Sequence, residues 1–306
     1  MTAALIAASL AFAWSMGAHY TGAVMGMPFG IGAISERWAL MLIAVFCTLG
    51  AGLASEPVQA TVGLHIIAPG HVTVAMALVM VLGAFLFTTI YTYWKVPTST
   101  IQILVFCVVG TALAAGVSIT WLTILKLAVT WIAAPLCAVL LGFAGTRLLH
   151  RIQSPPWALV LAGVAASFVL GANDVANAVG VWRMVHVGTP LLAGFAGGAA
   201  MAVGALTWGR RILHRVSFEI VDLDNATATA AQGVQALVVI VAVTQGFFTS
   251  INQALISAMS GAAVANHRAV NRANLNAIVK GWAISPPSGF IFGFVAYRIV
   301  LALGGH

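Results

Sequence analysis

The chain has 306 residues, of which 61% are hydrophobic and only 6% are charged, and its mean hydropathy is +1.05. Soluble globular proteins carry about a quarter charged residues, so this composition excludes an ordinary soluble domain and predicts a polytopic membrane protein. The formal net charge is +7. The basic residues cluster in short loops between apolar runs, which the positive-inside rule explains without a nucleic-acid partner.

Apolar runs near the roughly 20 residues that a helix needs to cross a bilayer recur along the whole chain. They predict helical segments at residues 2–24, 38–62, 72–94, 99–118, 122–149, 157–181, 189–209, 229–247, 249–265 and 276–302. The first run lacks a basic n-region and a small-residue cleavage site, so we expect a retained helix rather than a signal peptide. The predicted fold class is an all-α, multi-pass protein of the cell membrane, with the lipid bilayer as its partner.

The chain contains an internal repeat. MGAHYTGAVMG at 16–26 aligns with LGANDVANAVG at 170–180 at an offset of 154 residues, and PTSTIQ at 97–102 aligns with FTSINQ at 248–253 at an offset of 151. Two matches in the same order at nearly one offset predict two homologous halves, residues 1–152 and 153–306.

Each half is predicted to hold three spanning runs and one pair of segments broken by turn residues, at 94–97 in the first half and 244–246 in the second. An odd number of crossings gives the two halves opposite orientations. Inverted repeats with broken, re-entrant hairpins are typical of secondary transporters, whose substrate lies at the interface between the repeats. We therefore expect the substrate near the two breaks.

The distribution of basic residues predicts the orientation. With the N-terminus outside, nine of the thirteen Lys and Arg residues fall on the cytoplasmic side: Arg37, Arg147, Arg151, Arg210, Arg211, Arg215, Arg268, Arg272 and Lys280. The positive-inside rule then places both termini on the extracytoplasmic side.

Asp174 is the carboxylate that we place deep inside a span. A buried, unpaired carboxylate is costly in a membrane and normally takes up a proton or a cation. On a helix, Asn173 and Asn177 lie close to it and offer amide oxygens. The functional interpretation is a site for a coupling ion, and the alternative is a structural carboxylate bonded to neighbouring helices.

The two TS-x-x-Q tips place Ser99 with Gln102, and Ser250 with Gln253, where helices start again after a break. Helix N-termini present free N–H groups and a positive dipole end, which favour an oxyanion. Two such tips from inverted halves would form a pocket for a tetrahedral anion. Ser and Thr also serve ordinary helix packing in membranes, which is the alternative.

Together these segments resemble the inorganic phosphate transporter (PiT) family, whose signature GANDVANA occurs in both halves and is followed by Ser/Thr-rich re-entrant hairpins. LGANDVANAVG at 170–180 matches the second signature, WKVPTSTIQ at 94–102 is similar to the first hairpin tip, and LTWGRRILHRV at 206–216 is similar to the segment after the second signature. The resemblance implies that Asn173, Asp174 and Asn177 lie at the ion and anion site, where sodium could bind. It also implies that the hairpin tips line the anion site through Ser99, Thr100, Ser250 and Asn252.

The first signature departs from the family pattern. His19 and Tyr20 replace Asn-Asp, and the Thr-His of each hairpin becomes Ile101-Gln102 or Asn252-Gln253. Degradation of this kind resembles the branch of the family that includes proton-coupled sulfate permeases. Sulfate carries no proton for a second carboxylate to accept, so the loss favours sulfate over phosphate. His19 could carry a proton near neutral pH or be a neutral histidine hydrogen-bonded within the bundle.

The sequence thus predicts a secondary active importer of a small oxyanion, sulfate before phosphate, driven by protons or sodium with no other cofactor. A sodium- or proton-coupled phosphate transporter is the alternative, and a passive anion channel is the alternative of another class. The residues show no nucleophile–base pair or metal motif of an enzyme. The glycine-rich stretch GFAGGAAMAVGA at 194–205 would fit close packing in a homodimer.

Overall fold

The computed structural model describes residues 1–68, 70–94, 98–218, 224–267 and 272–304, and within them the regular structure is helical, which confirms the predicted fold class. The α-helices are α1 (Thr2–Gly30), α2 (Glu36–Ala54), α3 (Glu56–Ala60), α4 (Val74–Trp94), α5 (Thr100–Ala115), α6 (Trp121–Ile152), α7 (Pro156–Met184), α8 (Pro190–Gly204), α9 (Arg210–Phe218), α10 (Asn225–Thr244), α11 (Ile251–Ala265) and α12 (Arg272–Ala302). Two π-helical turns, Thr61–His65 and Ala205–Gly209, follow α3 and α8.

In the described part of the chain, eight helical stretches are long and apolar enough to cross a membrane. They are Thr2–Gly30, Glu36–Ala54, Val74–Trp94, Trp121–Ile152, Pro156–Met184, Pro190–His214, Asn225–Thr244 and Val279–Ala302. The apolar helices Thr100–Ala115 and Ile251–Ala265 are shorter. These ten elements correspond to the ten predicted segments.

Each predicted hairpin consists of a long first arm and a short second arm. The 21 residues of α4 extend about 32 Å, close to the roughly 30 Å of a bilayer core, whereas the 16 residues of α5 extend only about 24 Å. In the second hairpin α10 has 20 residues and α11 has 15. The turn after α10 contains Gly246 at φ +73°, where a side chain would be strained. Residues 95–97 of the other predicted turn lie outside the described residues.

The second predicted segment, 38–62, is not one continuous α-helix. Helix α2 ends at Ala54, and the chain continues as the short helix α3 and then the π-helical turn Thr61–His65. Pro57 lies in the first turn of α3. Because proline lacks an amide hydrogen and its ring clashes with the preceding turn, it suits a helix start and not a helix interior.

Glycine contacts display the inverted relation between the halves. A Cβ added to Gly17 on α1 would lie 1.9 Å from the carbonyl oxygen of Met201 on α8, and one added to Gly171 on α7 would lie 1.9 Å from that of Cys47 on α2. Gly171 is Gly17 shifted by 154 residues, and Met201 is Cys47 shifted by the same number. The two contacts are therefore copies of each other, with the halves exchanged.

The glycines of the 194–205 stretch are used within the chain. A Cβ on Gly194 would lie 2.3 Å from the carbonyl oxygen of Ala51, and one on Gly204 would lie 1.9 Å from that of Trp14. These glycines let α8 approach α1 and α2 closely, so the stretch gives no reason to expect a dimer.

Ion pairs mark the two ends of the bundle. At one end, which we call the Glu36 end, Arg210 Nε lies 2.7 Å and His214 Nε2 lies 2.5 Å from the Glu36 carboxylate. At the other, the Glu56 end, Arg183 lies 3.9 Å from a Glu56 side chain that is 70% exposed. Glu56 is thus an exposed partner of Arg183.

Asp224 caps the N-terminus of α10. Its Oδ1 accepts a hydrogen bond of 3.0 Å from the Thr227 amide, and its Oδ2 accepts one of 2.5 Å from the Thr227 hydroxyl. Partial burial raises the pKa of the Asp224 carboxyl, but the Thr227 hydrogen bonds and the nearby His150 outweigh it and hold that pKa below its ordinary value. The cap therefore stabilises the helix start in its charged form.

Candidate functional site

The Asp174 carboxylate lies in the middle of α7 with no exposed surface. Asn173 Nδ2 donates to one carboxylate oxygen at 2.8 Å, and Asn177 Nδ2 donates to the other at 3.5 Å. The predicted trio is therefore one hydrogen-bonded cluster. A buried carboxylate held only by neutral donors is not neutralised by a fixed cation, so a proton or a small cation can stabilise it.

Asn173 also joins α7 to the second hairpin. Its Nδ2 donates to the Thr249 carbonyl oxygen at 2.9 Å, and its Oδ1 accepts from the Thr249 amide at 3.2 Å. This pair of bonds satisfies both backbone groups of a residue that is completely buried just before the start of α11. The hairpin tip is thereby tied to the carboxylate through a single side chain.

Tyr20 brings the first half to the same cluster. Its hydroxyl hydrogen-bonds to Thr100 Oγ1 over 2.8 Å and also interacts with the Asp174 carboxylate. Both Tyr20 and Thr100 are fully buried. The position that carries aspartate in the family pattern thus supplies a neutral hydroxyl that bridges the first hairpin to Asp174.

His19 lies beside Tyr20, and their rings make an edge-to-face contact with centroids 4.7 Å apart. His19 Nδ1 hydrogen-bonds to Thr92 Oγ1 over 2.8 Å, and Nε2 lies 3.4 Å from Asn252 Nδ2 on α11. His19 is the first-half counterpart of Asn173 at the repeat offset of 154. It therefore contacts α4, the long arm of its own hairpin, and the start of α11 in the other half.

Ser99 and Ser250 occupy equivalent positions at the two tips. Each serine is the N-cap of its short helix and accepts a hydrogen bond from the backbone amide three residues later. Ser99 Oγ accepts from the Gln102 amide and Ser250 Oγ accepts from the Gln253 amide, both at 3.4 Å. Ser99 also donates its amide hydrogen to Ser285 Oγ at 3.1 Å. The predicted donors therefore do lie at the starts of helices, although the serine hydroxyls already serve as caps.

Several buried amide oxygens near the tips have no partner. They are Asn177 Oδ1, Gln102 Oε1 and Gln253 Oε1, and the buried Thr249 hydroxyl is also without one. Unpaired buried polar atoms are expensive unless a ligand or water satisfies them. Amide oxygens beside a carboxylate suit a hard cation such as sodium, and amide and hydroxyl donors suit an oxyanion. No group of three or more metal-binding side chains occurs in the described ranges.

Two further functional candidates, Gln232 and Gln235, were not predicted from the sequence. Gln232 and Gln235 on α10 are buried, and both side-chain amides donate to the Ala23 carbonyl at 3.2 Å. Gln235 Nε2 also donates to the Ile251 carbonyl at 3.3 Å. A polar pair three residues apart inside an apolar run was the available signal, the same kind that identified Asp174.

A buried tryptophan supports the second tip. Trp131 Nε1 on α6 donates to the Phe248 carbonyl at 3.0 Å. Trp282 on α12 follows Trp131 by 151 residues, the offset of the hairpin tips. This third internal match, which the sequence reasoning missed, agrees with the repeat.

Broken hairpins from two inverted halves, meeting around one buried carboxylate, define a membrane transporter. The chain matches the sequence profile of the phosphate transporter family over residues 16–159 and 155–293. The protein therefore belongs to the phosphate transporter family.

Relatives over nearly the whole chain carry different substrate names. A sulfate permease of Bacillus subtilis is 28% identical, covering 98% of this chain and 87% of that protein. A putative phosphate permease of Pyrococcus furiosus is 22% identical over 96% and 95% of the two chains. A probable low-affinity inorganic phosphate transporter of Mycobacterium tuberculosis is 25% identical over 99% and 78%.

Among solved structures, one described as the sodium-dependent phosphate transporter superposes with a TM-score of 0.90. The superposition covers 99% of this chain and 100% of the other, at 22% sequence identity. At this level of identity the similarity establishes the shared fold.

Proposed function

We propose that the protein is a secondary active importer of a small tetrahedral oxyanion, with sulfate favoured over phosphate, driven by proton symport. The observation that carries the proposal is the unequal pair of half-sites: Asp174 in the second half faces the neutral hydroxyl of Tyr20 in the first. The anion would bind between the tips, with Ser99, Thr100, Ser250, Asn252, Asn177, Gln102 and Gln253 as its neighbours.

Charge supports sulfate. Replacing a second carboxylate by Tyr20 removes one negative charge from a fully buried site, where repulsion of a dianion is strong. Sulfate has no proton to donate, whereas a second carboxylate would be a fitting acceptor for hydrogen phosphate. The sulfate permease of Bacillus subtilis, 28% identical, points the same way.

Coupling would run through Asp174. Only neutral donors hold the Asp174 carboxylate, so one positive charge must compensate it when an anion is carried across the membrane. A proton supplies that charge. His19 is a second candidate proton carrier, since it connects Asn252 with the long arm of the first hairpin. Sodium held by Asn173, Asp174 and Asn177 is the alternative coupling ion.

A specific observation favours phosphate as the second candidate substrate. The unpaired oxygens of Asn177, Gln102 and Gln253 are acceptors, and hydrogen phosphate brings a hydrogen-bond donor that sulfate lacks. A relative described as a probable low-affinity inorganic phosphate transporter is 25% identical.

The two halves are proposed to divide at residues 152 and 153, between α6 and α7. Alternating access would follow from movement of one repeat against the other around the fixed site. The proposed orientation puts the Glu36 end in the cytoplasm and the Glu56 end, with both termini, outside.

The test is uptake of labelled sulfate and phosphate by purified protein in proteoliposomes, under an imposed proton gradient or sodium gradient. Sulfate accumulation under the proton gradient, abolished in Asp174→Asn and retained in Asp224→Asn, is the expected result. Asp224 is the matched control because it is a carboxylate outside the site. Phosphate accumulation that requires sodium would overturn both the substrate and the coupling ion.

The same measurement separates a transporter from a channel. A channel lets the anion move only down its own electrochemical gradient, whereas symport accumulates it against that gradient when protons flow inward. Equilibration without accumulation would replace the proposal by passive conduction.

A further inference from the structure

An open cavity of about 690 Å³ lies at the Glu56 end, and its lining does not include Asn173, Asp174 or Asn177. Its walls are α3 with the π-helical turn, the first turns of α6, and the turn after α10. We call it the vestibule. Its polar lining comprises Thr61, His65, Thr120, Thr123, Lys126, Thr244 and Gln245.

The charge of the vestibule is positive. Lys126 lines it with an exposed side chain, His65 is close by, and no acidic side chain belongs to the described lining. Glu56 precedes the lining residue Pro57, but its carboxylate is paired with Arg183. A concave surface with one sign of charge concentrates ions of the opposite sign.

Hydroxyl groups add directional donors to this charge. Thr120 precedes the first residue of α6 but makes no side-chain cap, and Thr123 lies one turn further, beside Lys126. The hydroxyls of Thr61 and Thr244 already donate to backbone carbonyls, which leaves Thr120 and Thr123 as the hydroxyl donors on the wall that carries Lys126. A lysine and two hydroxyls, with no carboxylate in the described lining, suit a small oxyanion, which accepts hydrogen bonds from every side.

The vestibule shares a wall with the central site. Gly246 and Phe247 line it, and the Gly246 carbonyl accepts a 2.6 Å hydrogen bond from the Thr61 hydroxyl. Three residues after Gly246, the backbone of Thr249 is bonded to Asn173 in the Asp174 cluster. One short segment of the hairpin, from Gly246 to Thr249, therefore connects the wall of the vestibule to Asn173 and Asp174.

We propose that the vestibule is an outer binding site for the transported oxyanion, with Lys126 as its main charge. This inference rests on the proposed function and adds a second site to it. An anion held here waits beside the hairpin segment that must move for it to reach Asp174. Lys126 thus sets the apparent affinity on the Glu56 side and leaves the turnover at saturation unchanged.

The experiment measures initial uptake of labelled sulfate and phosphate by intact cells that express the protein and lack their own uptake of these anions. The variants are Lys126→Gln, Lys126→Arg and Arg298→Gln. Arg298 is the matched control because it is an exposed cation on α12 outside the vestibule. Surface expression is measured for each variant, so that rates refer to equal amounts of folded protein.

The expected result is an apparent KM raised about three- to tenfold in Lys126→Gln at low ionic strength, with an unchanged maximal rate. The increase should shrink in high salt, because screening already removes the contribution of an exposed charge. Lys126→Arg and Arg298→Gln should keep the wild-type KM. Wild-type uptake with an unchanged KM in Lys126→Gln overturns the outer site, as does a loss confined to maximal rate. Absence of uptake by the wild type would instead refute the proposed function.

Discussion

Truncating Asn173 to alanine tests whether one side chain holds the second hairpin to the central site. The side chain makes three hydrogen bonds: two with the Thr249 backbone, at 2.9 and 3.2 Å, and one with the Asp174 carboxylate at 2.8 Å. Truncation leaves the amide and carbonyl of a completely buried residue without partners. A neutral hydrogen bond contributes about 1 kcal/mol net and one to a charged group about 2, so the expected loss is about 4 kcal/mol.

The assay is unfolding of the purified protein in mixed detergent micelles, followed by tryptophan fluorescence. The matched control is Asn225→Ala. Asn225 is the first residue of α10, and its side chain donates one hydrogen bond, of 2.6 Å, to the Ser154 carbonyl between α6 and α7. Its expected loss is about 1 kcal/mol. The role of Asn173 in holding the second hairpin to α7 is refuted if Asn173→Ala destabilises the protein no more than the control does.

Three further substitutions test the packing, the tip and a helix cap. Trp131→Phe keeps most of the ring but removes its hydrogen bond to the second hairpin tip, so it should cost about 1–2 kcal/mol in the same unfolding assay and slow uptake. Gly171→Ala should sharply reduce the monodisperse fraction in size-exclusion chromatography, because its Cβ would lie 1.9 Å from the Cys47 carbonyl oxygen, whereas Gly233→Ala, with nothing within 4 Å, should not. Asp224→Ala should lower stability by about 1 kcal/mol at neutral pH. In the folded protein the pKa of Asp224 lies below its ordinary value. The stability difference between the wild type and Asp224→Ala should therefore persist above about pH 4 and vanish as the pH falls through the pKa of the folded state.

The sequence was informative wherever the signal is local. Ten apolar runs became ten apolar helical elements, because length and hydropathy alone decide which segments can lie in a bilayer. Asp174 stood out because a carboxylate is rare in such a run. Gln232 and Gln235 carried a weaker form of the same signal and were missed, since buried amides are less costly than charges.

Helix ends were less predictable than helices. The expected single segment at 38–62 breaks after Ala54, and Pro57 in the sequence was the available warning. The glycine-rich stretch at 194–205 suggested a dimer, yet its glycines bring α8 against α1 and α2 of the same chain. A small-residue stripe predicts a close helix contact and does not say which helix supplies it.

By itself, the sequence determined that the protein spans the membrane, that it contains an inverted repeat, and that one half retains a carboxylate where the other has Tyr20. These properties depend on hydropathy and on comparison of the chain with itself. The tertiary structure decided that Asn173 binds Thr249 and that His19 contacts Thr92 and Asn252. Those partners lie 73 to 233 residues apart. Only the packing of the helices determines which of these groups meet, both within each half and, for His19 and Asn252, between the halves.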